Sequence, residues 1–364
     1  MFTHQDLDEA VAAGALSPEA ADGFRAHLES RAALPAVDEE HFRLLTGFND
    51  IFVSIAAVIL LFSVGFIGQS LGLRIEDQGP SPLSGLLVAA CAWGLALFFT
   101  AKRRMALPSI LLLLAFVGGI FEAAGFTGVL LAGEQNLQDN SAGVAVIVAI
   151  AGAIAASGAW LHWRRFRVPI TVAAGAAAIS AMAVSLLASG IDTHSIQGGD
   201  ILLAFTLLIG VGMFLFAMRW DSSDPTRVTR RSDVAFWLHL LAAPMIVHPI
   251  FALMGVTSGT VSVGEGLVVV LLYLALGVTA LAIDRRALLV SALAYVLFAL
   301  SSLFRQFGAV ELNIALTALV IGSALLLLSA FWHQARRMIV ERLPDTLRRY
   351  LPATDRAVSL APAA

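Results

Sequence analysis

The sequence predicts an all-α fold, a bundle of about ten membrane-spanning helices with both chain ends in the cytoplasm. Of the 364 residues, 59% are hydrophobic and only 13% are charged, whereas soluble domains are nearer half apolar and a quarter charged. Apolar runs of about 20 residues, the length that crosses the hydrocarbon core of a bilayer, recur along the chain. Charged residues lie mostly in short clusters between these runs.

The apolar runs divide the chain into three parts. Residues 1–48 form an acidic helical segment, 49–333 the ten-span bundle and 334–364 a basic tail. Within the bundle, short connections separate the runs, which is typical of helices that cross the membrane back and forth. The ten runs cover residues 50–72, 82–101, 107–131, 142–163, 168–189, 200–220, 233–255, 262–283, 286–304 and 309–333.

Basic residues fall in alternate loops, which predicts the orientation by the positive-inside rule. Of the 23 Lys and Arg, only Arg74 and Arg305 lie on the side away from the chain ends. Tryptophan rings favour the headgroup layer, and the side that holds the chain ends also has Trp160, Trp163, Trp220, Trp237 and Trp332. Lys102 is the only lysine, a composition typical of GC-rich bacterial genomes, and we therefore expect the protein in the bacterial inner membrane.

The two ends of the chain are predicted to be helical. Residues 4–33 fit a hairpin of two short helices, the second beginning with Ser17 as the cap and Pro18 at the first helical position. Residues 334–351 fit a basic amphipathic helix that we expect on the anionic inner surface of the membrane. The acidic hairpin is a candidate site for a cytoplasmic protein partner, and its docking on the basic tail is an alternative.

The sequence offers little support for an enzyme. It contains no P-loop, HExxH, GxSxG, dinucleotide fingerprint or Cys-x-x-Cys pair. The only cysteine is Cys91, which excludes an intramolecular disulfide and a cysteine cluster for zinc or iron–sulfur. No cofactor is strongly implied, the sequence predicts no nucleic-acid partner, and it does not indicate a metal site or the oligomeric state.

Ionisable residues inside the apolar runs are the candidate functional residues. A charge near the centre of a membrane costs about 2.5–3.5 kcal/mol, so it tends to face a cavity or a partner. The helical rise places Glu122 and His248 about 22 Å from the cytoplasmic edge, and Glu265 at a similar level. The same outer layer holds Arg305, Glu311 and Asn313. We expect an outward-facing pocket around Glu122 and His248; that each group merely reaches the outer headgroups is the alternative.

The seventh run contains two histidines and two prolines. Pro244 and Pro249 each remove a backbone donor, which predicts a kink or break near the middle of the membrane and a hinge. His239 and His248 are nine positions apart, which places them on opposite faces of a straight helix. Either histidine would therefore need another helix to complete a haem or metal site. A lone histidine in a span is more often a hydrogen-bonded core residue, or a protonatable switch, than a ligand.

The first run is preceded by the hairpin and entered through Gly47, Phe48, Asn49 and Asp50. In these features, and in its Ala-, Leu- and Gly-rich runs, the chain resembles the uncharacterised bacterial membrane proteins grouped as domain of unknown function 2157. The resemblance covers the hairpin and the first run best and carries no catalytic motif. It implies a polytopic membrane architecture and no particular activity.

Three functional classes follow from these observations. The leading hypothesis is transport of a small solute or ion, with Glu122, His248, His239 and Glu265 as proton- or cation-handling groups and Pro244 and Pro249 as the hinge. The second is a non-transporting sensor or assembly scaffold that binds a cytoplasmic partner through residues 1–48. The third is an intramembrane metal- or haem-binding protein.

Overall fold

A computed structural model gives the fold. Backbone contacts divide the chain into two units, one formed by Met1–Arg43 with Asp355–Ala364 and the other by Leu44–Thr354. The residues that the structure describes are 11–14, 16–24, 48–75, 79–224, 227, 229–255, 263–306, 312–348 and 350–352, without the side chains of 287, 288, 306 and 313.

The smaller unit contains one part of the predicted hairpin. Residues 18–24 are helical, and the backbone N–H of Ala20 donates a hydrogen bond to Ser17 Oγ at 3.1 Å. The predicted helix start at Ser17 and Pro18 is therefore confirmed. Most of the predicted hairpin, residues 4–33, lies outside the described residues.

The larger unit is helical throughout its described length apart from short connections. A 3₁₀ turn at Glu134–Asn136 follows the third helix. The helices are α1 (Phe48–Leu71), α2 (Pro82–Phe99), α3 (Ala106–Ala132), α4 (Ser141–Phe166), α5 (Ile170–Ala188), α6 (Ile196–Asp221), α7 (Arg230–Leu253), α8 (Val263–Ile283), α9 (Ala287–Gln306), α10 (Asn313–Ala330), α11 (Trp332–Val340) and α12 (Asp345–Arg348).

Eight of the described helices, α1 to α8, are long and apolar enough to cross a membrane. The pair α10 and α11 is a ninth candidate if this bent pair counts as one span, and α9 contains a shorter apolar stretch, Leu289–Arg305. Each of the ten predicted runs thus coincides with one of the helices α1 to α10. The prediction of a polytopic helical bundle is confirmed, whereas the cytoplasmic placement of both ends stays a prediction.

The outward faces of the bundle are apolar. Phe62 on α1 is 78% exposed and Leu326 on α10 is 74% exposed, an arrangement that water would oppose and lipid favours. Helices suit this solvent because their backbone hydrogen bonds are satisfied within each segment. The chain is therefore a multi-pass membrane protein.

Helix α7 is the central element of the second half of the bundle. It packs against α5, α6 and α9, whereas α1 to α5 pack mainly on their neighbours in sequence. Half of the residues in the most apolar stretch of α7 are buried, against at most a third in any other candidate span of the described chain. The seventh run is therefore the one most enclosed by protein.

Two helix pairs approach closely at glycines. A Cβ atom on Gly119 of α3 would lie 2.5 Å from the carbonyl oxygen of Gly85 in α2, and one on Gly210 of α6 would lie 2.8 Å from the carbonyl oxygen of Met245 in α7. Only a residue without a side chain allows these backbones to meet. The α2–α3 and α6–α7 contacts thus depend on Gly85, Gly119 and Gly210.

The two prolines do not interrupt α7. The helix continues from Arg230 to Leu253 through both Pro244 and Pro249, so the expected break is absent and a hinge at these residues stays a prediction. Pro249 leaves the Met245 carbonyl without its usual partner four residues later. That carbonyl packs against Gly210 of α6 instead, so a neighbouring helix covers the exposed backbone group.

The predicted amphipathic tail is seen in part as α11. It turns by 74° away from α10, and Trp332, Arg336 and Val340 on one face are buried. Met338 on another face is 57% exposed. This direction fits a helix that lies across the end of the bundle, as the sequence pattern predicts.

Candidate functional site

The structure places Glu122 in the middle of α3, beside the close approach to α2. A Cβ atom on Gly85 would lie 3.0 Å from Glu122 Cβ, and the Glu122 side chain is half-buried. Helix α3 packs against α1, α2, α4 and α5. Glu122 is thus held in the first half of the bundle.

His248 is exposed on α7 and contacts Tyr295 rather than Glu122. Its Nδ1 lies 2.6 Å from the hydroxyl of Tyr295 in α9, and the Tyr295 ring stacks on Phe251 with 4.6 Å between centroids. Among the described residues, no hydrogen bond or ion pair joins His248 to Glu122. The expected pocket around these two groups therefore remains a prediction that the observed contacts do not support.

The other members of the predicted outer layer are peripheral. Glu265 is exposed in the first turn of α8 and Arg305 is exposed in the last turn of α9. Glu311 and the side chain of Asn313 lie outside the described residues. The outer layer is thus spread over several helices at the edge of the bundle.

The fourth sequence candidate, His239, has a different environment. It lies in the third turn of α7, is 1% exposed, and its Nε2 is 3.5 Å from Asp221 Oδ2. That separation is the distance of an ion pair rather than of a well-formed hydrogen bond. Neither ring nitrogen of His239 has a hydrogen-bond partner within the described structure. His239 is therefore a buried imidazole beside a buried carboxylate.

Asp221 is the centre of the charged cluster around His239. It is the last residue of α6 and is 1% exposed. Arg285, from the connection between α8 and α9, donates a hydrogen bond from Nη2 to Asp221 Oδ1 at 2.7 Å. The same nitrogen also donates to the carbonyl oxygen of Ser232 at 3.2 Å. Arg227 approaches Asp221 Oδ2 to 3.6 Å, so one carboxylate faces two guanidiniums and one imidazole.

A second carboxylate, Asp284, extends the cluster to the C-terminal helices. Arg227 Nη1 donates to Asp284 Oδ2 at 2.9 Å, and the indole N–H of Trp332 donates to Oδ1 at 2.8 Å. Arg336 of α11 lies 3.8 Å from Oδ1 and donates to the carbonyl oxygen of Pro352. We call Asp221, Arg227, His239, Asp284, Arg285, Trp332 and Arg336 the charge network.

Local turns position the members of the charge network. Thr229 caps α7, with its side chain accepting from the backbone N–H of Arg231, while its own N–H and hydroxyl donate to Asp224 Oδ2. Arg227 and Asp284 both have positive φ, 56° and 57°, a conformation that is uncommon outside glycine. These turns bring Arg227 and Asp284 together although 57 positions separate them.

Electrostatic effects on Asp284 favour its charged form. Burial by itself raises the pKa of this carboxyl, but Arg227, the Trp332 hydrogen bond and Arg336 together hold the pKa below its ordinary value. Burial, with the like charge of Arg285, lowers the pKa of Arg227, although an arginine remains protonated in proteins. The Arg227–Asp284 contact is therefore an ion pair at neutral pH.

A second buried histidine lies outside the charge network. His162 on α4 is fully buried, and its Nδ1 is 3.2 Å from the hydroxyl of Thr171 on α5. Its ring packs among Trp93, Phe116 and Phe166. In the described part of the chain, no three or more His, Cys, Asp or Glu side chains are grouped to hold a metal ion.

Sequence reasoning missed the charge network because it treated most of these arginines only as markers of the cytoplasmic side. The available signal was an aspartate at the very end of a run, inside a basic loop. Asp221 follows Arg219 and Trp220, and Asp284 precedes Arg285 and Arg286. An acidic residue in such a position indicates a pairing that a count of positive charges overlooks.

Comparison of the chain with protein-family models, curated proteins and solved structures found no match. The resemblance to domain of unknown function 2157 therefore stays an expectation.

Proposed function

We propose that the protein transports a small solute or ion and that the charge network is the gate at the cytoplasmic end of its helix bundle. One observation carries the proposal, the buried carboxylate of Asp221 that Arg285, Arg227 and His239 share. Membrane proteins tend to retain ionisable groups among their helices where those groups serve a pathway or a switch. The cytoplasmic side is assigned by the positive-inside rule.

The connectivity of the charge network suits a gate. Its members come from the end of α6, the α6–α7 connection, the third turn of α7, the α8–α9 connection and α11. Movement of these segments relative to one another therefore breaks defined ion pairs and hydrogen bonds. Buried ion pairs gain little net stability over apolar packing, because desolvation offsets their attraction. Such pairs are therefore suited to a contact that has to open and re-form.

His239 supplies a way to couple the gate to protons. The groups that face it are Asp221, Arg285 and Arg227, together with the ring of Phe214 at 5.2 Å. A protonated imidazole competes with the two guanidiniums for the single Asp221 carboxylate, whereas a neutral one does not. Protonation of His239 thus favours release of an arginine from the network. Glu122, His248 and Glu265 remain candidates for the outer part of the pathway.

Transport itself is tested with purified protein in liposomes on a solid-supported membrane. Inorganic cations, inorganic anions, amino acids and sugars are applied separately between pH 5 and 8. We expect a transient current with at least one of these classes, and a smaller current in His239→Phe. No current with any class, together with no uptake of radiolabelled solutes of the same classes by protein that remains folded, rejects the transport proposal.

The position of the gate is tested by cysteine accessibility. Cys91→Ala removes the only cysteine, and Ser232→Cys then reports on the network, because Ser232 is 7% exposed and its hydroxyl lies 3.3 Å from Arg285 Nη2. In inside-out vesicles, a membrane-impermeant thiol reagent should label Ser232→Cys much more slowly than an exposed cysteine at pH 7.5, and the ratio of the two rates should be closer to one at pH 5.5. His239→Phe should remove this change in the ratio.

The matched control is Ser223→Cys, which is exposed in the α6–α7 connection, nine positions before Ser232. It supplies the reference rate at each pH, because the smaller thiolate fraction at pH 5.5 slows the labelling of both variants alike. If Ser232→Cys is as reactive as Ser223→Cys at pH 7.5, the network does not close this end of the bundle. If it stays unreactive while the protein carries a transport current, the gate lies elsewhere.

A further inference from the structure

A cavity of about 130 Å³ lies between α8, α9 and α10, next to the charge network, with which it shares Trp332. One end is polar and includes Arg286, Ser329 and Trp332. The remainder is apolar apart from Tyr273, with the side chains of Leu289, Val290, Leu293, Leu325 and Leu328. Val290 is 65% exposed on the outward face of α9, so the cavity borders the membrane.

The cationic end of the cavity is ordered by Trp332. The Arg286 guanidinium lies over the Trp332 ring, with 4.8 Å from Cζ to the ring centroid, and the indole N–H is bonded to Asp284. Arg286 directly follows Arg285 in the chain, but it lines the cavity while Arg285 pairs with Asp221. A stacked guanidinium at the end of an apolar cavity matches an anion that carries a hydrocarbon chain.

Tyr273 supplies a second polar feature. It lies ten positions before the end of α8, about 15 Å along the helix axis. Its hydroxyl is buried and has no hydrogen-bond partner within the described structure, an arrangement that is unfavourable relative to a bonded hydroxyl. An ester or phosphate oxygen in the cavity would satisfy this hydroxyl.

We propose that the cavity binds an anionic phospholipid, with its phosphate at Arg286 and part of one acyl chain between α9 and α10. The volume supports this occupant, because an apolar cavity of about 150 Å³ accommodates one benzene molecule. The present cavity therefore holds a short segment of a chain whose remainder lies in the bilayer. A membrane-bordering apolar wall favours this amphiphile over a soluble anion.

The proposal is tested by native mass spectrometry of the delipidated protein in neutral detergent. Dioleoyl phosphatidylglycerol and dioleoyl phosphatidylcholine are the probes. We expect phosphatidylglycerol to bind the wild-type protein about tenfold more tightly than phosphatidylcholine, a difference of about 1.4 kcal/mol. Arg286→Gln should remove most of this preference, while Tyr273→Phe should weaken phosphatidylglycerol binding several-fold.

The matched control is Arg231→Gln, an exposed arginine in the first turn of α7. If Arg231→Gln lowers the preference as much as Arg286→Gln does, the effect is general attraction to a basic surface and the site is refuted. Leu293→Trp fills the apolar end and should reduce binding of both lipids. Unchanged binding in Leu293→Trp, or equal binding of both lipids by the wild type, would also overturn the proposal.

Discussion

Asp221→Asn removes the charge at the centre of the network while keeping the size of the side chain. The carboxylate lies 2.7 Å from Arg285, 3.6 Å from Arg227 and 3.5 Å from His239, and all three groups lose its negative charge. Removing one member of a buried pair costs about 3–5 kcal/mol, because the other charge is left uncompensated. We expect about 3 kcal/mol, since Arg285 keeps its bond to the Ser232 carbonyl and Arg227 keeps Asp284.

The assay is the free energy of unfolding of the purified protein in mixed micelles of dodecyl maltoside and SDS. Asp345→Asn is the control, because Asp345 lies 3.5 Å from Arg348 in an exposed pair and such pairs contribute less than about 1 kcal/mol. Adding Arg285→Met to Asp221→Asn should restore part of the lost stability by removing the uncompensated charge. If Asp221→Asn lowers the free energy of unfolding no more than Asp345→Asn does, Asp221 does not hold the network together.

Three further predictions concern packing and pH. Gly210→Ala should destabilise the protein by about 1–3 kcal/mol in the same unfolding assay, because its Cβ would meet the Met245 carbonyl. Gly212→Ala, with open space at its Cβ, should be neutral or slightly stabilising, and equal effects would contradict the observed α6–α7 contact. Because the pKa of Asp284 is lowered in the folded state, its stabilisation is complete above its unfolded pKa of about 3.9 and is lost as the pH falls through the lower folded value. The advantage of the wild type over Asp284→Asn should therefore be constant from pH 7 to 5 and shrink below about pH 4, and a loss already near pH 6 would contradict this assignment. His162→Phe should lower the free energy of unfolding by less than about 2 kcal/mol, since His162 makes one hydrogen bond inside an aromatic cluster. A larger loss of stability would assign His162 more than a packing role.

The helices could be predicted from the sequence because membrane solvent imposes a simple rule. A run of about 20 apolar residues has no alternative to a helix in the hydrocarbon core, and all ten runs coincide with helices. The sequence did not reveal that α7 continues without a break through Pro244 and Pro249, because a neighbouring helix can cover an unpaired carbonyl; a kink at these residues stays a prediction. The packing of the Met245 carbonyl on Gly210 depends on two helices at once and leaves no pattern within the seventh run.

The candidate site could be predicted only in part. His239 was found because an imidazole inside an apolar run is conspicuous. Its partners were not found, because they lie at run ends where charged residues are ordinary. Asp221 and Arg285 are 64 positions apart, and no local spacing relates them. His239 is buried whereas His248 is exposed, and this burial depends on the packing of α7 against three other helices.

The basic residues show why a topology rule does not reveal function. Arg231, Arg285 and Arg286 count equally toward the positive-inside rule, yet their surroundings are unlike. Arg231 is exposed, Arg285 is 3% exposed and bonded to Asp221, and Arg286 stacks on Trp332 at the end of the α8–α10 cavity. Arg285 and Arg286 are neighbours in sequence, yet they contact different partners, the carboxylate of Asp221 and the ring of Trp332. Orientation depends on how many charges a loop carries, whereas function depends on which acceptor each of them meets.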